Sequence, residues 1–202
     1  MSSTTKRISS ISPSLTLAIT AKAKAMKAEG KSVIGFGAGE PDFNTPQHII
    51  DAAKDALDKG YTKYTPSSGL PALRKKIAEK FKEEQGLDYD PSQIIVSSGA
   101  KHSIFNAMFA LVEDGDEVII PAPYWLTYPE VVKVCGGKSV FVEGRKENHF
   151  KIAPEDLKKA ITPKTKLLIF NSPSNPTGAV YTEAEIRAIG KVVEEAGIWV
   201  IS

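Results

Sequence analysis

The chain has 202 residues, enough for one sizeable core or for one domain plus part of another. Apolar residues make up 42% and charged residues 25%, the balance of a soluble globular protein and not of a disordered one. With 26 Lys and Arg against 24 Asp and Glu the net charge is +2, and the two signs are interspersed, so nothing demands nucleic acid or an anionic membrane as a partner. No stretch approaches the ~20 apolar residues of a membrane span, and the first twenty or so residues lack a long apolar run followed by a cleavage-like site. Cys135 is the only cysteine and cannot form an internal disulfide. The expectation is a soluble protein of the reducing cytoplasm, with Cys135 packed behind Val131, Val132 and Val134.

In chain order, residues 14–29 have the spacing of an amphipathic helix ended by Gly30, with Lys22, Lys24 and Lys27 on a solvated face. A short apolar segment, 33–36, leads into Gly37-Ala38-Gly39-Glu40-Pro41-Asp42. Thr45-Pro46 opens a helix that runs to Lys59 and stops at Gly60. Residues 61–69 form a polar loop with aromatic members, and Pro71 opens another helix ending near Gly86.

From about residue 92 the pattern alternates. The runs Ile94-Ile95-Val96, Val118-Ile119-Ile120, Val140-Phe141-Val142, Leu167-Leu168-Ile169-Phe170 and Ile198-Trp199-Val200-Ile201 are short and rich in β-branched residues, which suits strands buried on both faces. Helical patterns lie between them at 101–112, 127–135, after Ala153 with Pro154 in the first turn, and at 183–196. The last of these opens on the capping-box spacing Thr182 to Glu185 and closes at Gly197. Such alternation predicts parallel strands joined by right-handed crossovers, hence an α/β fold with a parallel or mixed sheet and helices on both faces. The chain stops at Ser202, within or just after its last apolar run, and the expected sheet is therefore incomplete at its C-terminal end.

Ligands of open parallel sheets bind beyond the carboxyl ends of the strands. Three such ends carry unusual residues. Val96-Ser97-Ser98-Gly99-Ala100-Lys101 leads small residues into a helix, whose exposed N–H groups suit a phosphate but also make an ordinary strand-to-helix turn. Pro121-Ala122-Pro123-Tyr124-Trp125 presents an indole that fits either a stacking surface or a core anchor. Asn171-Ser172-Pro173-Ser174-Asn175-Pro176-Thr177-Gly178 is dense in turn formers and fixes the direction of Asn175, a useful amide or simply part of a connecting loop. Together a phosphate seat, a flat surface and a fixed amide describe a pocket for a phosphorylated aromatic cofactor.

These same segments resemble subgroup I aminotransferases of the aspartate aminotransferase family. The resemblance rests on Gly37-Ala38-Gly39-Glu40-Pro41-Asp42-Phe43, Lys63-Tyr64 with Gly69, Ser98-Gly99-Ala100-Lys101, Pro123-Tyr124-Trp125 with Tyr128-Pro129, and the 171–178 stretch, in the family's order over essentially the whole chain. It implies the large domain of a fold-type-I pyridoxal-phosphate (PLP) enzyme, with residues 1–45 as an N-terminal arm and part of the small domain and 46–202 as an incomplete PLP-binding large domain. It implies that Gly99, Ala100 and Lys101 seat the cofactor phosphate, that Trp125 covers the pyridine ring, and that Asn175 meets the phenolic oxygen and neighbours the substrate carboxylate. Gly39 matches a backbone position near that carboxylate. Tyr64 matches a residue that reaches the phosphate in the partner subunit, which implies a homodimer. The Asn175-Pro176 bond is expected to be cis.

The resemblance also implies what these 202 residues lack: the Schiff-base Lys, the Asp that pairs with the pyridine nitrogen and the Arg residues that clamp carboxylates. No catalytic residue is therefore assigned, and the chain alone is expected to be inactive. The expected reaction is transfer of an amino group between an amino acid and a 2-oxo acid. Aspartate is a candidate substrate, although dicarboxylate-preferring relatives tend to carry a basic residue where Ser12 stands; Thr16 is retained. Alternatives are a carbon–sulfur lyase on the same fold, a half-domain with a binding role only, and a dinucleotide-binding oxidoreductase. The last is evoked by Gly35-Phe36-Gly37-Ala38-Gly39 but has its third glycine misplaced for G-x-G-x-x-G.

Overall fold

The computed structural model describes residues 4–35, 37 and 39–202. Phe36 and Ala38, which belong to the apolar segment and the glycine-rich motif, lie outside the described residues. The chain forms two compact units, Pro13–Ser98 and Met1–Ser12 with Gly99–Ser202.

The 13–98 unit is helical. Its helices are α2 (Leu15–Ala28), α3 (Gln47–Asp58) and α4 (Pro71–Gln85), numbered after the four-residue α1 (Lys6–Ser9) of the other unit. Each start and stop has a local cause. The Ser14 hydroxyl accepts from the Leu17 N–H at the start of α2, Pro71 opens α4, and Gly86 closes it in the left-handed region at φ 69°. Pro46 precedes α3 as its cap and is not in its first turn. Among the described residues of this unit, Ala78 and Ile94 are the buried apolar ones. Arg74 fastens α4 to the segments on either side of it, donating to the Ser68 hydroxyl before the helix and to the Pro91 carbonyl after it.

Residues 94–96, expected to be a strand, are not one. The Val96 N–H donates to the Ser68 carbonyl at 3.0 Å, whereas Ile95 is exposed. An apolar run becomes a strand only where a neighbour supplies a ladder of backbone bonds, and one bond is not a ladder.

The other unit is the α/β layer that the alternating pattern predicts. Four strands, β1 (Glu117–Ala122), β2 (Lys138–Glu143), β3 (Thr165–Ile169) and β4 (Trp199–Ile201), pair in parallel in the order β2-β1-β3-β4. Helices α5 (Ala100–Leu111), α6 (Thr127–Val134), α7 (Pro154–Ala160) and α8 (Glu183–Ala196) connect and cover them. Because side chains alternate along a strand, Val118, Ile120, Leu167 and Ile169 pack with Met108, Val131 and Val132 of α5 and α6. Ile119 and Leu168 point the other way, onto Leu157 of α7 and Ile189 of α8. Val118, Ile119, Ile120, Leu167 and Leu168 are fully buried, each contributing roughly 1.5–3 kcal/mol before the cost of ordering the chain. The two inner strands thus hold their carboxyl ends in fixed register beside one another.

Candidate functional site

Beyond the ends of β1 and β3 the chain crosses one rim of the sheet. The two segments that leave those strands, with Phe150 from the loop after β2, enclose a cleft of about 380 Å³ of atom-free space, part of it open to solvent. Tyr124, Tyr128, Asn171, Asn175 and Tyr181 are among its walls.

The segment after β3 holds itself. The Asn171 Oδ1 accepts from the Asn175 N–H at 2.9 Å, Gly178 N–H donates to the Ser174 carbonyl at 2.7 Å, and Ser174 N–H donates to the Ala179 carbonyl at 2.9 Å. Gly178 supplies the positive φ, 71°, that closes the turn. The Ser172-Pro173 and Asn175-Pro176 bonds are cis, as is Ala122-Pro123 in the segment after β1. The Asn171 and Ser174 hydrogen bonds hold the backbone of Asn175, and the residue stays exposed on the cleft wall.

The segment after β1 sets Trp125 half-buried against the apolar layer beneath α5 and α6. Its ring meets Tyr128 edge-on at 5.5 Å between centres, and the Tyr128 N–H donates to the Trp125 carbonyl at 3.0 Å. Tyr128 is buried, and desolvation pushes its phenol above the ordinary value. Trp125 combines the two alternatives that its position in the sequence left open: it packs on the core and remains partly exposed.

Gly99 caps the start of α5 at φ 88°, with no side-chain cap bond, so the helix presents its first N–H groups and the positive end of its dipole. Gly99, Ala100 and Lys101 are exposed. The Lys101 ammonium lies 5.4 Å from the centre of the Trp125 ring. The structure therefore brings Lys101 to Trp125, Trp125 to Tyr128, and Tyr128 into the wall that also contains Asn175. Gly39 and Tyr64, by contrast, belong to the 13–98 unit, and both are exposed.

These residues fit a phosphorylated aromatic group. An uncapped helix start with an adjacent ammonium suits a phosphate, the indole offers a flat face, and the amide offers both a donor and an acceptor. A cation–π contact at an exposed site is worth about 0.5–1 kcal/mol, so the long lysine side chain is free to leave the ring face for an anion. Among the described residues no cluster of His, Cys, Asp and Glu could hold a metal ion, and no helix is long and apolar enough to cross a membrane.

Sequence reasoning singled out neither Tyr128 nor Asn171 nor Tyr181 for a role. The signal for Asn171 was available: an Asn that opens a turn rich in Ser and Pro bonds its side chain to backbone a few residues on. Tyr128 belongs to a stretch that carries the resemblance and meets Trp125 three residues before it, whereas the bond of Tyr181 to Ile152 joins segments distant in sequence and carried no local signal.

The family model described as "Aminotransferase class I and II" matches residues 31–202. The chain is 59% identical over 197 residues to an aspartate aminotransferase of Geobacillus stearothermophilus and 61% identical over 197 residues to one of Bacillus subtilis (strain 168). Each alignment covers 98% of this chain and 50% of the relative. Among solved structures, the aspartate aminotransferase from Thermus thermophilus with maleate superposes with a TM-score of 0.96 at 44% identity, over 99% of this chain and 52% of that one. The chain spans about half the length of the relatives it matches.

Proposed function

Because the chain belongs to the class I and II aminotransferase family, whose members depend on pyridoxal 5'-phosphate, we propose that it serves as the N-terminal part of a transaminase that moves an amino group between an amino acid, with aspartate as the candidate, and a 2-oxo acid. The observation that carries this reading is the contiguity of Lys101, Trp125, Tyr128 and the Asn175 wall at one rim of the sheet, in a chain whose relatives at 59% and 61% identity are named aspartate aminotransferases.

When bound, the cofactor supplies an aldehyde for the amino group and a ring that withdraws electrons. The chain's own residues bind and orient. The N–H of the cap residue Gly99 and the first N–H of α5 at Ala100, with the Lys101 ammonium, hold the phosphate. Trp125 covers one face of the pyridine ring and keeps water from it. Asn175 donates its side-chain amide to the phenolic oxygen and borders the substrate carboxylate, while Asn171 fixes its backbone. Gly39 offers backbone to that carboxylate, and Tyr64 reaches the phosphate of the partner subunit in a homodimer. Residues 1–45 form the arm and part of a small domain, residues 46–202 belong to the large domain, and the protein works in the cytoplasm. The covalent lysine and the acid at the pyridine nitrogen are assigned to no residue of this chain, so the 202 residues alone bind without turnover.

The cofactor reading is tested by titrating the chain with pyridoxal 5'-phosphate and following indole emission. Saturable quenching is expected, and it is lost in Trp125→Phe, which leaves Trp199 as the remaining indole. Quenching that is absent, or unchanged by the substitution, would overturn it. The reaction is tested on a protein carrying the full length of the relatives: an amino acid and a 2-oxo acid should exchange their groups. Release of ammonia without an oxo-acid acceptor would replace transamination with a lyase reaction.

A further inference from the structure

We propose that Tyr181 is a positioning residue of the candidate site: its phenol ties the turn of residues 171–178, and with it Asn175, to the separate segment that follows β2. This inference deepens the reading of Asn175 as a cofactor contact and rests on it for its functional meaning.

The bonds within the turn fix its shape but not its place on the rim. Its place comes from its two flanks. On the leading side, the Phe170 N–H donates to the Ile201 carbonyl at 2.8 Å, a continuation of the sheet. On the trailing side stands Tyr181, which is buried and lines the cleft. Its N–H donates to the Ser172 hydroxyl at 3.2 Å, reaching back across the turn. Its ring centre lies 4.8 Å from that of Phe170. Its hydroxyl accepts from the Ile152 N–H at 2.9 Å, and Ile152 is itself buried. One residue thus joins the start of the turn, its end and a third segment: its backbone reaches Ser172, and its side chain meets Phe170 and Ile152. Because the Ile152 bond is shielded from water, solvent does not replace it when it is lost.

The segment that receives this tie is built to stay still. The Phe150 N–H donates to the Arg145 carbonyl at 2.9 Å, and the Asn148 side-chain amide donates to the Lys151 carbonyl at 3.0 Å. His149 and Phe150 occupy the left-handed region at φ 52° and 61°, which residues with side chains adopt only where their surroundings impose it. Beside the phenol, Lys151 pairs with Glu185 and lies 5.9 Å from the Tyr181 ring centre. Glu185 in turn closes the capping box of α8 with Thr182, the residue after Tyr181. The tie therefore connects two stiff pieces.

Hydrogen exchange of the 202-residue chain, read by mass spectrometry on peptides, tests this without any cofactor. Tyr181→Phe keeps the ring on Phe170 and removes the acceptor for Ile152. Exchange in residues 171–181 and 144–152 should speed up by about tenfold or more, the effect of losing one buried bond, while residues 117–122 of β1 stay within about twofold. Unchanged exchange in 171–181, or equal acceleration everywhere, overturns the proposal. Ser172→Ala is the second variant, decisive should Tyr181→Phe fail to fold: it should loosen 171–181 and leave 144–152 unchanged, and loosening of neither overturns the proposal. A second arm measures quenching by pyridoxal 5'-phosphate, where Tyr181→Phe should weaken binding. A wild-type chain that ignores the cofactor removes the role of Asn175, and the exchange arm still decides that of Tyr181.

Discussion

The Lys101 ammonium sits 5.4 Å from the centre of the Trp125 indole, joining the start of α5 to the loop after β1. Both groups are accessible, so the contact biases the lysine without locking it. Lys101→Met should lower stability by less than about 1 kcal/mol in urea unfolding, the value of an exposed cation–π pair. The same substitution removes a charged donor beside the helix start, so affinity for pyridoxal 5'-phosphate should fall by roughly tenfold or more. A loss of stability without a loss of affinity would make Lys101 a structural residue only.

Acid should act through Glu185. The Lys151 ammonium, followed by the Thr182 N–H, holds its carboxyl at about 2, below the ordinary 4.5. A depressed folded value means that the stabilisation is fully present above pH 4.5 and is lost as the pH falls toward 2. Glu117 acts in the same direction, its carboxyl lowered by the Thr162 hydroxyl and the Lys138 ammonium. Thermal melts across that window should show Tm falling with pH. In Lys151→Met the part due to Glu185 should shrink, so the curve becomes shallower. An unchanged slope would show that the ion pair does not form in solution.

Cys135 offers a reporter of opening. It is buried at the end of α6, and desolvation raises its thiol above the ordinary value, against a smaller opposing effect of Arg7. At neutral pH the thiol is protonated and covered, so labelling should be slow in the native chain and accelerate with denaturant. Labelling at the rate of a free thiol in native buffer would show that the layer of Val131, Val132 and Met108 is open.

What was legible in the sequence was what local chemistry decides. Thr182 with Glu185, Gly197, Pro154 and Pro71 each mark a helix end through their own backbone or a bond a few residues away, and each does so in the structure. The runs at 118–120 and 167–170 read as strands because burial on both faces demands continuous apolar residues. Ile94-Ile95-Val96 has the same composition and fails, since a ladder partner is not a local property. The four-residue α1 was missed for a related reason: Thr5 caps it, but its contacts are with α6, far along the chain. In the site, Trp125 and Asn175 stood out by their turn-rich settings. Their link through Tyr128 and the tie through Tyr181 arise only once the strands are in register.

Two glycines separate backbone freedom from close approach. Gly190 lies inside α8, and a Cβ there would meet nothing within 4 Å. Gly190→Ala should therefore stabilise the chain by about 0.5–1 kcal/mol, because alanine loses less backbone entropy in a helix. Gly144 has no positive φ, but a Cβ there would collide with the carbonyl of Phe150, which lines the cleft. The backbone of residues 144–150 would have to shift, and Gly144→Ala should cost about 1–3 kcal/mol, as overpacking does. Urea unfolding with both variants checks the signs. A neutral Gly144→Ala would mean that the loop carrying Phe150 can move away freely, and that the far wall of the cleft is softer than its bonds imply.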